Sequence, residues 1–127
     1  MACLFAAACA VAPYSAFPVE IAGGLPPDAF ATCRAVLLRE FGQIEFVDED
    51  RFLLRTGWAP VADPEGERRA AVFRDERGGL GVVVELRRVS EPFVGVPAWT
   101  EPRGWDAGER DLARQLEAAL AASTVSR

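Results

Sequence analysis

At Gly42 the spacing of apolar residues changes from three-and-four to two, and that change limits what the chain can build on either side. Before it, Phe30, Cys33, Leu37 and Phe41 recur on one face of a helix, a face that Ala29 and Val36 widen. Pro26-Pro27-Asp28 supplies the start, with proline in the first turn and an acid favourable to the helix dipole. Gly42 supplies the left-handed cap. Arg34, Arg39 and Glu40 are expected to face water as solubilising charges. After Gly42 the alternating runs Ile44–Val47 and Phe52–Trp58 flank the acidic turn Asp48-Glu49-Asp50-Arg51, which predicts a hairpin. Phe52, Leu54, Thr56 and Trp58 are expected to share the face that meets the helix, with Trp58 in the core and Arg55 pointing away.

The same alternation places a first strand over Phe17–Ile21, and Pro18 assigns it to a sheet edge. Ala59 to Glu67, with Pro60, Asp63-Pro64 and Gly66, reads as a loop. A second hairpin is predicted from Arg68–Arg74 and Leu80–Val89 around Asp75–Gly79, with Val82, Val84 and Leu86 on one face and Val83, Glu85, Arg87 and Val89 on the other. Gly78-Gly79-Leu80-Gly81 opens a strand rather than a helix, so it is a turn and not a phosphate loop. Ser90 to Gly104 is irregular but too apolar for a linker. Asp106 and Glu109 have capping-box spacing ahead of a terminal helix lined by Leu112, Leu116, Ala119 and Leu120, and residues 123–127 are expected to fray. The sum is one α+β domain over residues 17–122: a mostly antiparallel sheet of about five strands in two hairpins, packed by a helix after the first strand and by a carboxy-terminal helix.

Composition narrows the chemistry. The 127 residues suit a single core, and the net charge of −5 opposes nucleic acid as a partner. All 14 basic residues are arginine. Histidine is absent, which removes the commonest general base and metal ligand together. What survives is carboxylate chemistry: a hydrolase pair drawn from Asp48 or Asp50 with Glu85, or a hard cation at Asp48-Glu49-Asp50. The second lacks the ligand spacing of a calcium loop, and the first lacks any sign of a cleft. The expectation is therefore a non-enzyme with no cofactor and no metal.

Met1 to Ala12 is a run of small and apolar residues too short to span a bilayer as a helix. It suits the apolar part of an export signal, without the basic residues that open one, and Pro13 to Ala16 follow as a tether. Within it, Leu4-Phe5-Ala6-Ala7-Ala8-Cys9 resembles the lipobox of bacterial lipoproteins, with Ala6 where leucine is usual. On that reading Cys9 carries lipid, Cys3 leaves with the leader, and Cys33 alone remains as a buried apolar side chain. Partner-binding residues are sought in the aromatic, proline-rich stretch Pro92 to Trp105, at Phe93, Trp99 and Trp105, against the alternative that this stretch tucks over the sheet edge.

The arrangement from Phe17 to Leu120, with Asp28-Ala29-Phe30-x-x-Cys33 in its helix and Thr56-Gly57-Trp58 ending a strand, resembles small envelope lipoproteins of GC-rich bacteria. More distantly it is similar to the helix-on-sheet domains of outer-membrane assembly lipoproteins. The resemblance implies a lipid-anchored envelope protein on the periplasmic side, with an adaptor, binding or structural role toward another envelope component. A cytosolic protein-interaction domain is the competing expectation, and the carboxylate-dependent hydrolase comes third.

Overall fold

The computed structural model describes residues 16–62, 65–93 and 96–125; Cys9 and the lipobox-like stretch lie outside them. Its backbone is a ribbon of two long antiparallel strands, β5 (Glu65–Arg74) and β6 (Leu80–Arg87), in register from Glu67 opposite Arg87 to Arg74 opposite Leu80. Asp75 closes the ribbon: its Oδ1 accepts the Arg77 and Gly79 amides, both at 2.9 Å, so the side chain substitutes for a backbone acceptor in the turn.

Each outer edge of the ribbon is covered by two short strands rather than one long one. On β5, the half nearer the turn pairs with β3 (Leu53–Thr56), which pairs in turn with β2 (Ile44–Asp48), and the other half pairs with β4 (Ala59–Ala62). On β6, β1 (Phe17–Val19) covers Leu80 to Val82 and β9 (Arg103–Gly104) covers Glu85 and Leu86. A separate two-stranded ribbon is formed by β7 (Val89–Phe93) and β8 (Val96–Trp99). The α+β class and the helix-packed antiparallel sheet are as expected, but the sheet has seven strands. β4, β9 and the β7/β8 ribbon lie in stretches whose prolines read as loop. Pro60 is tolerated because it sits on an edge strand, where a missing amide breaks no ladder.

The two gaps fall at one level, since Ala70 and Val84 are opposed in the ribbon. Their amides point outward, and side chains fill both positions. The buried Thr56 hydroxyl accepts the Ala70 amide at 3.0 Å and donates to the Gly57 carbonyl at 2.9 Å. Across the ribbon, Glu109 accepts the Val84 amide at 3.1 Å, and the Trp105 amide donates to the Val84 carbonyl at 2.8 Å.

Two helices cover one face of the sheet. α1 (Ala29–Phe41) buries Cys33, Val36, Leu37 and Phe41 and ends on Gly42 at φ 87°, whose amide donates to Leu38. α2 (Asp106–Val125) buries Leu112, Leu116 and Leu120 against α1, β1 and β6. The helices also meet through a polar seam. Arg39 donates to Gln115 at 3.2 Å, Gln115 donates to Glu40 at 3.3 Å, and the Glu40 carboxylate lies 3.7 Å from Arg68, whose guanidinium stacks on Phe41. Glu40 is thus an inter-element tie and not only a solubilising charge.

Three further expectations change. Asp106 and Glu109 form no capping box: the Glu109 amide bonds to the Trp105 carbonyl, so Trp105 holds the cap position and the Glu109 carboxylate is spent on Val84. Residues 123–125 continue α2, and the Ser123 hydroxyl donates to the Asp28 carboxylate at 2.6 Å. Trp58 leaves the core. β3 stops at Thr56, and the alternation slips by one residue before the buried Ala59, which puts Trp58 on the face opposite the helices.

Burial pushes the Glu109 carboxyl above the usual carboxylate range; the Val84 amide opposes this and the Asp106 carboxylate adds to it. The folded chain therefore binds this proton more tightly than the unfolded chain. The stabilisation is complete below the ordinary carboxylate range and is lost as pH rises through the folded value. We expect Glu109→Gln, which keeps an acceptor without the charge, to gain stability relative to the parent between pH of about 4 and neutrality. Glu109→Ala and Thr56→Val, which each orphan a buried amide, should lose about 1–3 kcal/mol. Urea midpoints at several pH values check all three.

Candidate functional site

The face turned away from the helices carries a different chemistry. Pairs that are opposed in register share a face, so Leu53 with Phe73 and Arg55 with Ala71 and Val83 lie on this side, followed along the ribbon by Arg69 with Glu85 and Glu67 with Arg87. The last two pairs are ionic and run in opposite senses across the strands. Arg69 Nε lies 2.6 Å from Glu85, and Arg87 binds Glu67 Oε1 through Nε at 3.0 Å and Nη2 at 2.5 Å.

Both guanidiniums are also stacked. Arg69 lies 4.5 Å and Arg87 4.1 Å from the Trp58 ring centre, and Arg87 lies 4.6 Å from the Trp99 ring. The order is guanidinium, indole, guanidinium, indole. Each arginine thus has a carboxylate in its plane and a ring on its face, an arrangement ammonium groups cannot make. Trp99, which ends the stack, keeps 45% of its surface exposed, Phe46 on the edge strand β2 keeps 44%, and Val89 keeps 47%.

The candidate partner-binding residues are not brought together. Trp99 belongs to this stack. Trp105 is half-buried against the core, and its ring lies so close over Gly108 that a Cβ there would clash with it. Phe93 lies on β7 opposite Val96. The companion of Trp99 is Trp58, which the sequence reading placed in the core. The signal that could have found it is the Gly57 break between two alternating runs.

The carboxylates considered for hydrolysis do not converge either. Glu85 is engaged by Arg69, while Asp48 lies on β2, three strand spacings or about 14 Å away across the sheet. That exceeds the separation a glycosidase pair requires. Asp48 accepts the Arg51 amide at 3.3 Å, and Asp50 is exposed in the turn. Among the described residues no group of three or more carboxylate or thiol side chains is placed to hold a metal. The Cys33 thiol is buried in α1, and burial pushes its pKa up to about 12, far from thiolate at neutral pH. Among the described residues, no helix is long and apolar enough to cross a membrane.

Comparison of the chain with protein-family models, with curated proteins and with solved structures found no match.

If Arg87 organises the stack, Arg87→Lys should preserve the far-ultraviolet spectrum, weaken the near-ultraviolet tryptophan signal and cost about 1 kcal/mol, because the lysine cannot bind Glu67 in a fork while lying between two rings. Circular dichroism with a denaturant titration reads both effects.

Proposed function

We propose that this chain is a non-catalytic binding or structural module of the bacterial envelope, tethered to a membrane by lipid on Cys9, and that the open sheet face is the surface it offers to another envelope protein. The observation that carries the reading is the asymmetry of the sheet. One face is covered by both helices, while the other presents Phe46 and the Trp58, Arg87 and Trp99 stack to solvent. Large aromatic side chains left exposed among charged ones suit a contact site, and tryptophan and arginine are the residues that most often dominate such contacts. Their rotamers are already fixed by stacking and ion pairing, which reduces the entropy lost on binding.

The tether is supported by the lipobox-like Leu4–Cys9 stretch and by the proline-containing segment between it and β1. A diacylated cysteine would hold a soluble domain stably at a bilayer surface.

Two measurements test the proposal. Metabolic labelling with an alkyne fatty acid should mark the native protein and fail on Cys9→Ser; an unlabelled native chain with a free Cys9 thiol would overturn the tether. A photo-crosslinking residue at position 46 should give a discrete envelope-protein adduct in living cells, and one at the exposed Arg34 should not. We expect Trp99→Ser to reduce that adduct by tenfold or more, the effect of losing about 2 kcal/mol at a binding hot spot. Equal adducts from both positions would refute the assignment of the face.

A further inference from the structure

A second site, sharing no residue with the stacked face, lies where β6 ends. A cleft of about 370 Å³ is lined there by Leu86, Arg88, Thr100, Glu101, Arg103 and Gly104. Arg103 is opposed to Leu86 in the β6/β9 ladder, and Arg88 is two residues further along the same strand direction. The two arginines therefore reach the same cleft from the end of β6 and from β9. Thr100 fixes the far wall: its hydroxyl accepts the Arg88 amide at 2.9 Å, and its own amide donates to the Arg88 carbonyl at 2.7 Å.

These two arginines differ in their compensation from the other arginines of the sheet. Arg55, Arg68, Arg69 and Arg87 on the sheet each have a carboxylate within 4.0 Å, and Arg74 lies over the Phe52 ring. Among the described residues neither Arg88 nor Arg103 is in an ion pair, although Glu101 lines the same cleft. Two like charges lining one concave site repel each other, and an anion bound between them offsets that repulsion. Another cleft, at Phe17, Glu20, Arg110, Arg114 and Glu117, has two arginines balanced by two glutamates, one of which is engaged by the Glu20 amide at 2.7 Å.

We infer that the cleft between Arg88 and Arg103 is a binding site for the oxyanion of a small ligand, a carboxylate or a phosphate group held by the two guanidiniums. Leu86 provides an apolar floor for the body of the ligand. Glu101 leaves the site with one net positive charge, which favours a monoanionic group and suits a hydrogen-bond donor beside it. The volume is in the range of small-molecule sites.

The test is a titration of the full-length chain followed by its amide and arginine Nε–H spectra. Inorganic phosphate and succinate are added separately at constant ionic strength, with sodium chloride as the third arm. We expect saturable shifts of the Arg88 and Arg103 Nε–H signals and of the Thr100 and Gly104 amides, with half-saturation on the order of 1 mM. The better of the two oxyanions identifies the group recognised. Arg103→Gln and Arg88→Gln should each weaken binding tenfold or more, and Arg110→Gln should leave it unchanged. Non-saturating shifts equal to those from chloride, shifts centred on Arg110 and Arg114, or saturation unchanged in Arg103→Gln would each overturn the site.

Discussion

The structure depends on how two backbone amides at the middle of the β5/β6 ribbon are satisfied. A ribbon whose edges are each covered by two short strands must leave outward-pointing groups between them, and an unpaired buried amide costs about as much as a sizeable core defect. Thr56 closes one gap with a hydroxyl that belongs to the sheet itself. Glu109 closes the other from α2, and Trp105 at the start of the same helix completes the Val84 pair. Glu117, two turns further on, accepts the Glu20 amide at the end of β1. α2 is therefore held to the sheet by hydrogen bonds as well as by apolar packing, and its position places α1 beside it on the same face.

From that one-sided arrangement the chemistry of the other face follows. On this face, which neither described helix covers, β5 and β6 carry charged residues, and the opposed order of Glu67 with Arg87 and Arg69 with Glu85 lets each charge find its partner across the ladder. The planar guanidiniums then serve as spacers between indoles. This combination keeps large aromatic rings in fixed positions at the surface without burying them, which is the property a contact surface needs and a core does not.

Local patterns made much of this fold legible. The α1 face, its Gly42 cap, the two hairpins and the apolar side of α2 all follow from short-range periodicity and turn chemistry. What escaped was set by distant partners. Ala59–Ala62 becomes a strand only because β5 offers it an edge, and Arg103–Gly104 only because β6 does. The Asp106 to Glu109 spacing was sound as a pattern, but a buried amide 25 residues away from Glu109 competes more strongly for its carboxylate. Trp99 lies in the stretch where partner-binding residues are sought, whereas Trp58, expected in the core, lies on the other face because the alternation does not run through Gly57. The placing of Arg103 beside Leu86 requires the β6/β9 register, which no local pattern contains.

Native-state hydrogen exchange of the Ala70 and Val84 amides tests the central claim most directly. If side chains close both gaps inside the folded protein, these two amides should exchange only through global unfolding, at the slow rate of the paired Val72 and Val82 amides. Exchange as fast as that of amides on the outer edge of β2, which pairs with no further strand among the described residues, would contradict the account, because it would mean that Thr56 and Glu109 do not hold the ribbon.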